Sequence, residues 1–508
     1  MTYKTTFKLS PITATDSYKL AHARMYPAGT SQIYSNFTPR SNAHLNVPAA
    51  FKNNKIVWFG IQGVVRQMAE EWQANFFDVP LDTVINQFKY RTAAFTGDYP
   101  VDIASITTLH KLGYLPIKIK ALAEGSRVNI GVPVFTIVNT KTEFYWLTNY
   151  LESYLSTESW KPTTTATIAD IYRQIITRYA NDTGGNKDFI DFQGHDFSMR
   201  GMSNAMDSAK SGAGHLTAFK GSDTLSAVDY LEYFYGAKNT FVAASVPASE
   251  HSVMCISGVE DEKETIHRLI QDLYPTGVVS VVSDSWDFWR VISVYAAQLK
   301  VIILNRQVDS LGLAKVVFRP DSGNPVDIIC GTESPIDNSP PELGAVEVLW
   351  NIFGGTVNDK GYKTLNQRVG LIYGDSITPQ RADDILRRLK AKGFASDNIV
   401  LGIGSYTYQY LTRDTLGFAM KATYGVVNGA GVDIVKNPIT DSGTKKSAKG
   451  LLRVEVEAGE FVLYDQQTLA QETQGELQLV FADGEFFNLT SLAEIRERLT
   501  DNKMNFGY

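Results

Sequence analysis

The chain has 508 residues, 44 % hydrophobic and 20 % charged, which is too apolar for disorder and, with 39 glycines and 18 prolines, neither collagen-like nor low in complexity. At about 150 residues per domain, that length implies two to four domains. Fifty-four acidic against 48 basic side chains leave a net charge of −6, which argues against a general nucleic-acid binder but not against a small phosphorylated ligand held by a local basic cluster.

The N-terminal stretch Met1–Ser10 is polar and lacks an apolar signal core. Ser41–Asn54 reads as a loop, and Val57–Phe77 has helical period. Ile117–Ala121 and Val132–Val138 read as strands, Phe144–Leu155 and Thr167–Tyr179 as helices. From about residue 188 short apolar runs alternate with amphipathic stretches, the pattern of βα units. The expected strands are Phe189–Gln193, Leu216–Phe219, Phe241–Ser245, Val278–Val282, Lys315–Phe318, Val369–Tyr373 and Ile399–Ile403. The expected helices between them are Asn204–Lys210, Thr224–Tyr235, Asp261–Leu273, Trp286–Leu299, Leu343–Phe353 and Pro379–Lys392. Val291–Leu304, interrupted by Gln298 and Lys300, reads as a core helix running into a strand rather than a membrane span. Thr332–Pro341 reads as a surface loop. Past residue 405, strand-like alternation returns in Lys421–Val427 and Leu451–Val456.

These expectations add up to an α/β protein with an irregular βα barrel of about seven strands. The barrel spans 156–404, and a discontinuous α+β domain is built from 1–155 and 405–508. Two cysteines, Cys255 and Cys330, and no CxxC exclude a disulfide framework and a thiolate zinc site. With no signal core and no membrane-length apolar run, the expectation is a cytoplasmic protein without membrane partners.

In βα barrels the loops after the strands build the active site. Here those loops carry His195–Arg200, Lys220–Thr224, Glu250–Ser252, Ser283–Ser285, Arg319–Asn324, Gly374–Ser376 and Gly402–Ser405. Any one Gly-Asp turn is more readily a helix N-cap. Caps, however, do not need Arg200, His251 and Arg319. Cations and carboxylates together at one mouth suggest a ligand with anionic groups and hydroxyls, and a bound cation. The glycines of Gly402–Ser405 read either as a tight turn or as a phosphate cradle. A second basic cluster comprises Arg413, Lys421, Lys436, Lys445, Lys446 and Lys449; it is a solvated loop unless it meets a polyanion.

Taken together, the motifs resemble the nicotinamide phosphoribosyltransferase family. The matching stretches are Thr15–Lys19, His195–Arg200, Gly221–Thr224, Ser245–Ser252, Ser280–Ser285, Arg319–Pro325, Gly374–Asp375 and Leu411–Asp414. The resemblance implies a type II phosphoribosyltransferase fold and a homodimer with active sites at the interface. It implies condensation of nicotinamide with phosphoribosyl pyrophosphate, using Mg2+ and driven by ATP. By the same resemblance Phe197 and the partner chain's equivalent of Tyr18 sandwich the pyridine ring. Asp223 accepts from the carboxamide; Arg200 and Arg319 bind the amide oxygen and pyrophosphate. Asp321 and Asp375 take ribose hydroxyls, Asp284 and Asp321 the magnesium shell through water. Gly404 and Ser405 cradle the 5′-phosphate; Arg40, Arg413 and Lys421 reach phosphates across the interface. His251 is the histidine phosphorylated by ATP, although a lone His near a strand end is more often structural, and Glu250 beside it could orient the ring.

Three positions depart from the family pattern: Ser198-Met199 for Gly-Tyr, Ser405 for the second glycine of the phosphate loop, and Ala419 for a phosphate-binding serine. The rivals are a nicotinate phosphoribosyltransferase, which Asp223 opposes, and a silent nicotinamide-binding relative, which Arg319, Asp321 and His251 oppose. A barrel lyase or aldolase using Lys220 is a third.

Overall fold

The computed structural model describes residues 8–97, 99, 101–435 and 448–501. Lys436, Lys445 and Lys446 of the second basic cluster lie outside them.

The site is organised by a curled parallel sheet of six strands: β1 (Gly194–Asp196), β2 (Gly221–Ser222), β3 (Gly277–Val282), β4 (Ala314–Arg319), β5 (Val369–Tyr373) and β6 (Val400–Ile403). Their spatial order is β2-β1-β6-β5-β4-β3, every pairing parallel, so all six C-terminal ends open on one side. Apart from Ser280 in β3 and Lys315 in β4, the interior of β3 to β6 is apolar, as a sheet covered on both faces requires.

The last four strands sit where the apolar runs place them; the first three expected strands do not. Phe189–Gln193 is helical, split between Lys187–Phe189 and Ile190–Gln193, and β1 starts only at Gly194. Its buried residues Ile190 and Gln193 are three apart, a helical spacing that a short run disguises. Leu216–Phe219 continues the turn that ends helix Ala205–His215, with Phe219 N donating to His215 O at 3.1 Å. Phe241–Ser245 forms no strand, so the sheet has six strands rather than seven; its neighbourhood meets the sheet at two single bridges, Ala244 to Gly221 and Ala248 to Ser280. Lys300–Leu304, expected to run into a strand, is helical.

A second, antiparallel sheet of seven strands is laid down by both ends of the chain. Its order is 430–433, 419–427, 30–38, 135–139, 117–121, 478–482 and 485–486. Phe37 is stacked between Phe135 and Phe418, ring centroids 5.0 and 4.9 Å away, so early and late segments share one core.

The helix Glu152–Thr183 runs unbroken through Pro162, where sequence reading places two helices. Proline costs a helix an internal hydrogen bond. Tertiary contacts hold the segment: Thr163 Oγ1 donates to Phe59 O at 2.6 Å, and Val57 N donates to Thr167 Oγ1 at 3.0 Å. Among the described residues no helix is long and apolar enough to cross a membrane.

Candidate active site

Parallel pairing of β1 with β2 sets His195 opposite Gly221 and Asp196 opposite Ser222. A Cβ on Gly221 would stand 2.9 Å from His195 Nδ1, so glycine leaves room for the imidazole. His195 Nε2 reaches Asp223 Oδ1 at 3.0 Å, and Ser245 Oγ donates to the same oxygen. The His195 ring lies 4.5 Å from that of Phe197, tilted by 32°. Phe197 is itself fixed by its N–H to Ile403 O at 2.9 Å. Asp196 is fully buried and works inward: it accepts from Ser198 N at 2.9 Å and Thr224 Oγ1 at 2.8 Å. Burial alone would push Asp223 up, but the His195 contact, the Ser245 hydroxyl and the Arg319 charge together outweigh it and hold the carboxyl below its usual range. This corner presents an aromatic face beside a fixed carboxylate. Asp223 Oδ2 makes no hydrogen bond among the described residues and is open to a donor.

Across the mouth, β3, β4 and β5 build a different environment. Asp284 Oδ2 accepts from Asp321 N at 2.9 Å, Ser322 N at 2.8 Å and the Ser322 hydroxyl. Its other oxygen lies 3.3 Å from His251 Nε2 but makes no aligned hydrogen bond. Arg319 Nη2 donates to Ser249 O at 3.0 Å, while Nε, 3.8 Å from Asp321 Oδ1, has no hydrogen-bond acceptor. Asp321 Oδ1 is likewise buried without a donor. Burial raises the Asp321 pKa against Arg319, with Asp284 adding to the rise and His251 and Arg200 opposing it. Those five groups therefore share one electrostatic neighbourhood. Two glycines make it possible. A Cβ on Gly374 would stand 1.6 Å from Asp321 Oδ1, and one on Gly404 would stand 1.6 Å from Asp375 Oδ1. Asp375 Oδ1 accepts from Ser376 N at 2.6 Å. Ser405 faces the Arg200 turn: a Cβ on Gly201 would lie 2.1 Å from its Oγ.

The strand ends thus gather Phe197, Arg200, Asp223, His251, Asp284, Arg319, Asp321, Asp375, Gly404 and Ser405 on one side of the sheet. Tyr18 is not tied to them. It is 61 % exposed on the short turn Ser17–Ala21 and packs edge-on to His22, 5.2 Å away. Arg40, Arg413 and Lys421 belong to the antiparallel sheet and its approach. Arg40 Nε donates to Gly417 O at 2.9 Å, Arg413 O accepts from Phe418 N, and Lys421 pairs with Asn36 across strands 419–427 and 30–38. Glu250 accepts from the Ser252 hydroxyl, and Asp284 stands beside His251 in its place.

Two participants escaped sequence reading, His195 and Ser245. Both lie inside the motif stretches, but their convergence on Asp223 depends on strand register. Any metal here would meet hard oxygen donors, since one oxygen each of Asp284 and Asp321 is buried without a hydrogen-bond partner among the described residues. Among the described residues no group of three or more His, Cys, Asp or Glu could hold an ion unaided. The fit is to a cation completed by water and substrate oxygens.

Residues 10–103 match the family described as "Nicotinamide phosphoribosyltransferase, N-terminal domain", and residues 192–485 match the "Nicotinate phosphoribosyltransferase (NAPRTase) family". A nicotinamide phosphoribosyltransferase of Acinetobacter baylyi is 54 % identical over 501 residues, 98 % of this chain and 99 % of that one. One of Mycoplasma pneumoniae is 37 % identical over 87 % of this chain and 95 % of its own. In fold, the chain is similar to nicotinate-nucleotide pyrophosphorylase from Pyrococcus furiosus, with a TM-score of 0.56 at 15 % identity over 100 % and 99 % of the two chains. It is also similar to human nicotinic acid phosphoribosyltransferase, with a TM-score of 0.52 at 15 % identity over 96 % and 93 %.

Proposed function

The chain belongs to the nicotinamide phosphoribosyltransferases, and from that premise we propose how its own residues carry the reaction. The reaction joins nicotinamide to phosphoribosyl pyrophosphate, giving nicotinamide mononucleotide and pyrophosphate in NAD salvage. The ring nitrogen bonds to C1 of the ribose as the bond from C1 to pyrophosphate breaks. Positive charge builds on the sugar and negative charge on the leaving group, so catalysis comes from positioning and electrostatics.

In this reading Phe197 carries one face of the pyridine ring, and Tyr18 of a second copy covers the other. The exposure of Tyr18 on the turn Ser17–Ala21 leaves its ring available to a second copy, as a homodimer with shared sites requires. Asp223 Oδ2 accepts from the carboxamide NH2. A nicotinate carboxylate about 4 Å away would meet a repulsion of about 4 kcal/mol at an effective dielectric of 20. Arg200 and Arg319 take the amide oxygen and the pyrophosphate. Asp321 and Asp375 take ribose hydroxyls, and Gly404 and Ser405 the 5′-phosphate. Arg40, Arg413 and Lys421 reach phosphates from the partner. Asp284 and Asp321 would hold Mg2+ through water; the ion when bound offsets charge on the leaving pyrophosphate.

His251 is the ATP-coupled group in this reading. The Asp284 carboxylate, 3.3 Å from Nε2, favours a proton on that nitrogen, leaving the Nδ1 lone pair to attack the γ-phosphorus. The bond from that phosphorus to the ADP oxygen breaks, and water later releases phosphate from the histidine. The reading rests on one observation above the rest: His251 faces, at 3.3 Å, a buried carboxylate oxygen that has no hydrogen-bond partner among the described residues. Incubation with γ-labelled ATP tests it. Acid-labile, alkali-stable label is expected on His251 and absent from His251→Ala; label elsewhere, or none, overturns it.

A further inference from the structure

A second cavity, of about 330 Å³, lies at the other end of β1 and β2, under the residues that lead into them. Five cations line it: Arg127, Arg173, Lys187, Lys220 and Arg496. Three carboxylates face them: Asp170, Asp188 and Asp191. Arg127 donates to both oxygens of Asp170, at 3.0 and 2.6 Å. Asp191 is shared between Arg173 at 2.7 Å and Lys220 at 2.9 Å. Arg496 makes no ion pair among the described residues, although the Asp191 charge acts on it from farther off. Its N–H groups go to the carbonyls of Leu216 at 2.9 Å and Val242 at 2.7 Å, and at 3.3 Å to those of Phe219 and Phe241. Lys187, exposed at the rim, makes no ion pair among the described residues.

Counting the described residues that line it, the cavity carries two positive charges more than its carboxylates neutralise, within a chain whose net charge is −6. Carbonyl dipoles satisfy the donors of Arg496 without cancelling its charge, and burial pulls its pKa down to about 10. Low-dielectric walls concentrate such a field. The volume falls within the range of small-ligand pockets, about 300 to 1,000 Å³. From this charge balance and shape we propose that the cavity binds a small phosphate-bearing anion. The anion occupies a place separate from turnover, since Asp191 and Lys220 precede the strands whose far ends carry Phe197 and Asp223. Lys220 and the guanidiniums of Arg173 and Arg496 surround the phosphate, and Lys187 closes the rim.

Inorganic pyrophosphate, titrated calorimetrically into the intact chain and into Arg319→Ala, tests the proposal. Arg319→Ala weakens pyrophosphate at the strand-end site and leaves the second cavity untouched. The expected result is binding that persists in Arg319→Ala and falls at least tenfold when Lys187→Glu is added. Arg496→Gln should act the same way. Should it fail to fold, Lys187→Glu, at an exposed position, carries the test alone. Complete loss of binding in Arg319→Ala overturns the proposal. So does binding that Lys187→Glu leaves unchanged in both backgrounds.

Discussion

The two halves of the strand-end site are built on opposite terms. Around Asp223 the polar groups answer one another: His195 and Ser245 both meet Oδ1, and Phe197 is pinned by β6. Around Asp321 they do not: among the described residues, Asp284 Oδ1, Asp321 Oδ1 and Arg319 Nε are all buried without hydrogen-bond partners. Buried unsatisfied polar atoms are costly, and native proteins carry few. On the proposed reading, the difference teaches that the Asp223 half, which would take the ring, is ready before a ligand arrives, whereas the Asp321 half, which would take the phosphates, is completed by charge that the ligands bring.

The sharpest way to break this contrast is Arg319→Ala, which removes a central cation of the unsatisfied half. A loss of about a thousandfold in kcat/KM is expected, on the scale of deleting a transition-state donor. Steady-state turnover reads it directly. Next comes His251→Ala, for which the ratio of turnover with and without ATP should fall to one; a ratio that stays high would detach His251 from ATP coupling. His195→Leu probes the satisfied half. The KM for nicotinamide should rise about tenfold with little change in kcat, because one charge-assisted hydrogen bond to Asp223 is lost. His195→Gln, which keeps a donor near Nε2, should recover most of it.

The smallest effect is on stability and has the opposite sign to the effect on activity. Burial holds the Asp321 pKa above the ordinary carboxylate range. The folded chain therefore keeps that proton more tightly than the unfolded chain. The resulting penalty on folding is absent below the ordinary carboxylate range and complete once pH exceeds the raised value. Asp321→Asn should consequently gain stability at neutral pH and none in acid, while turnover is lost. Thermal melts at two pH values check this.

What could be read from sequence follows the same division. Asp284, Arg319, Asp321 and Asp375 lie at or just past the ends of β3, β4 and β5, five or six residues long, whose Val, Ile and Phe content announces them. The ring half hangs on β1 and β2, three and two residues long, too short to have a period. Apolar helix ends at Ile190 and Phe219 masqueraded as strands, and the segment at Phe241 reaches the sheet by single bridges only. Asp223 and Phe197 are nonetheless legible as candidates, because their motifs are local in sequence. His195 and Ser245 were not assigned a role, because their contact with Asp223 is made by register and by a loop 22 residues on. Tyr18, Arg40, Arg413 and Lys421 act across chains in the reading given, and no single-chain pattern joins them to the strand ends.

The most direct measurement is the ratio of kcat/KM for nicotinamide to that for nicotinate, in the intact chain and in Asp223→Asn. Because Asp223 is held ionised, the intact chain should favour nicotinamide by about a hundredfold or more, consistent with the repulsion estimated at 4 Å. Asparagine can donate to a carboxylate, so the ratio should collapse toward one. A preference that survives Asp223→Asn intact would contradict a ring half organised around that carboxylate.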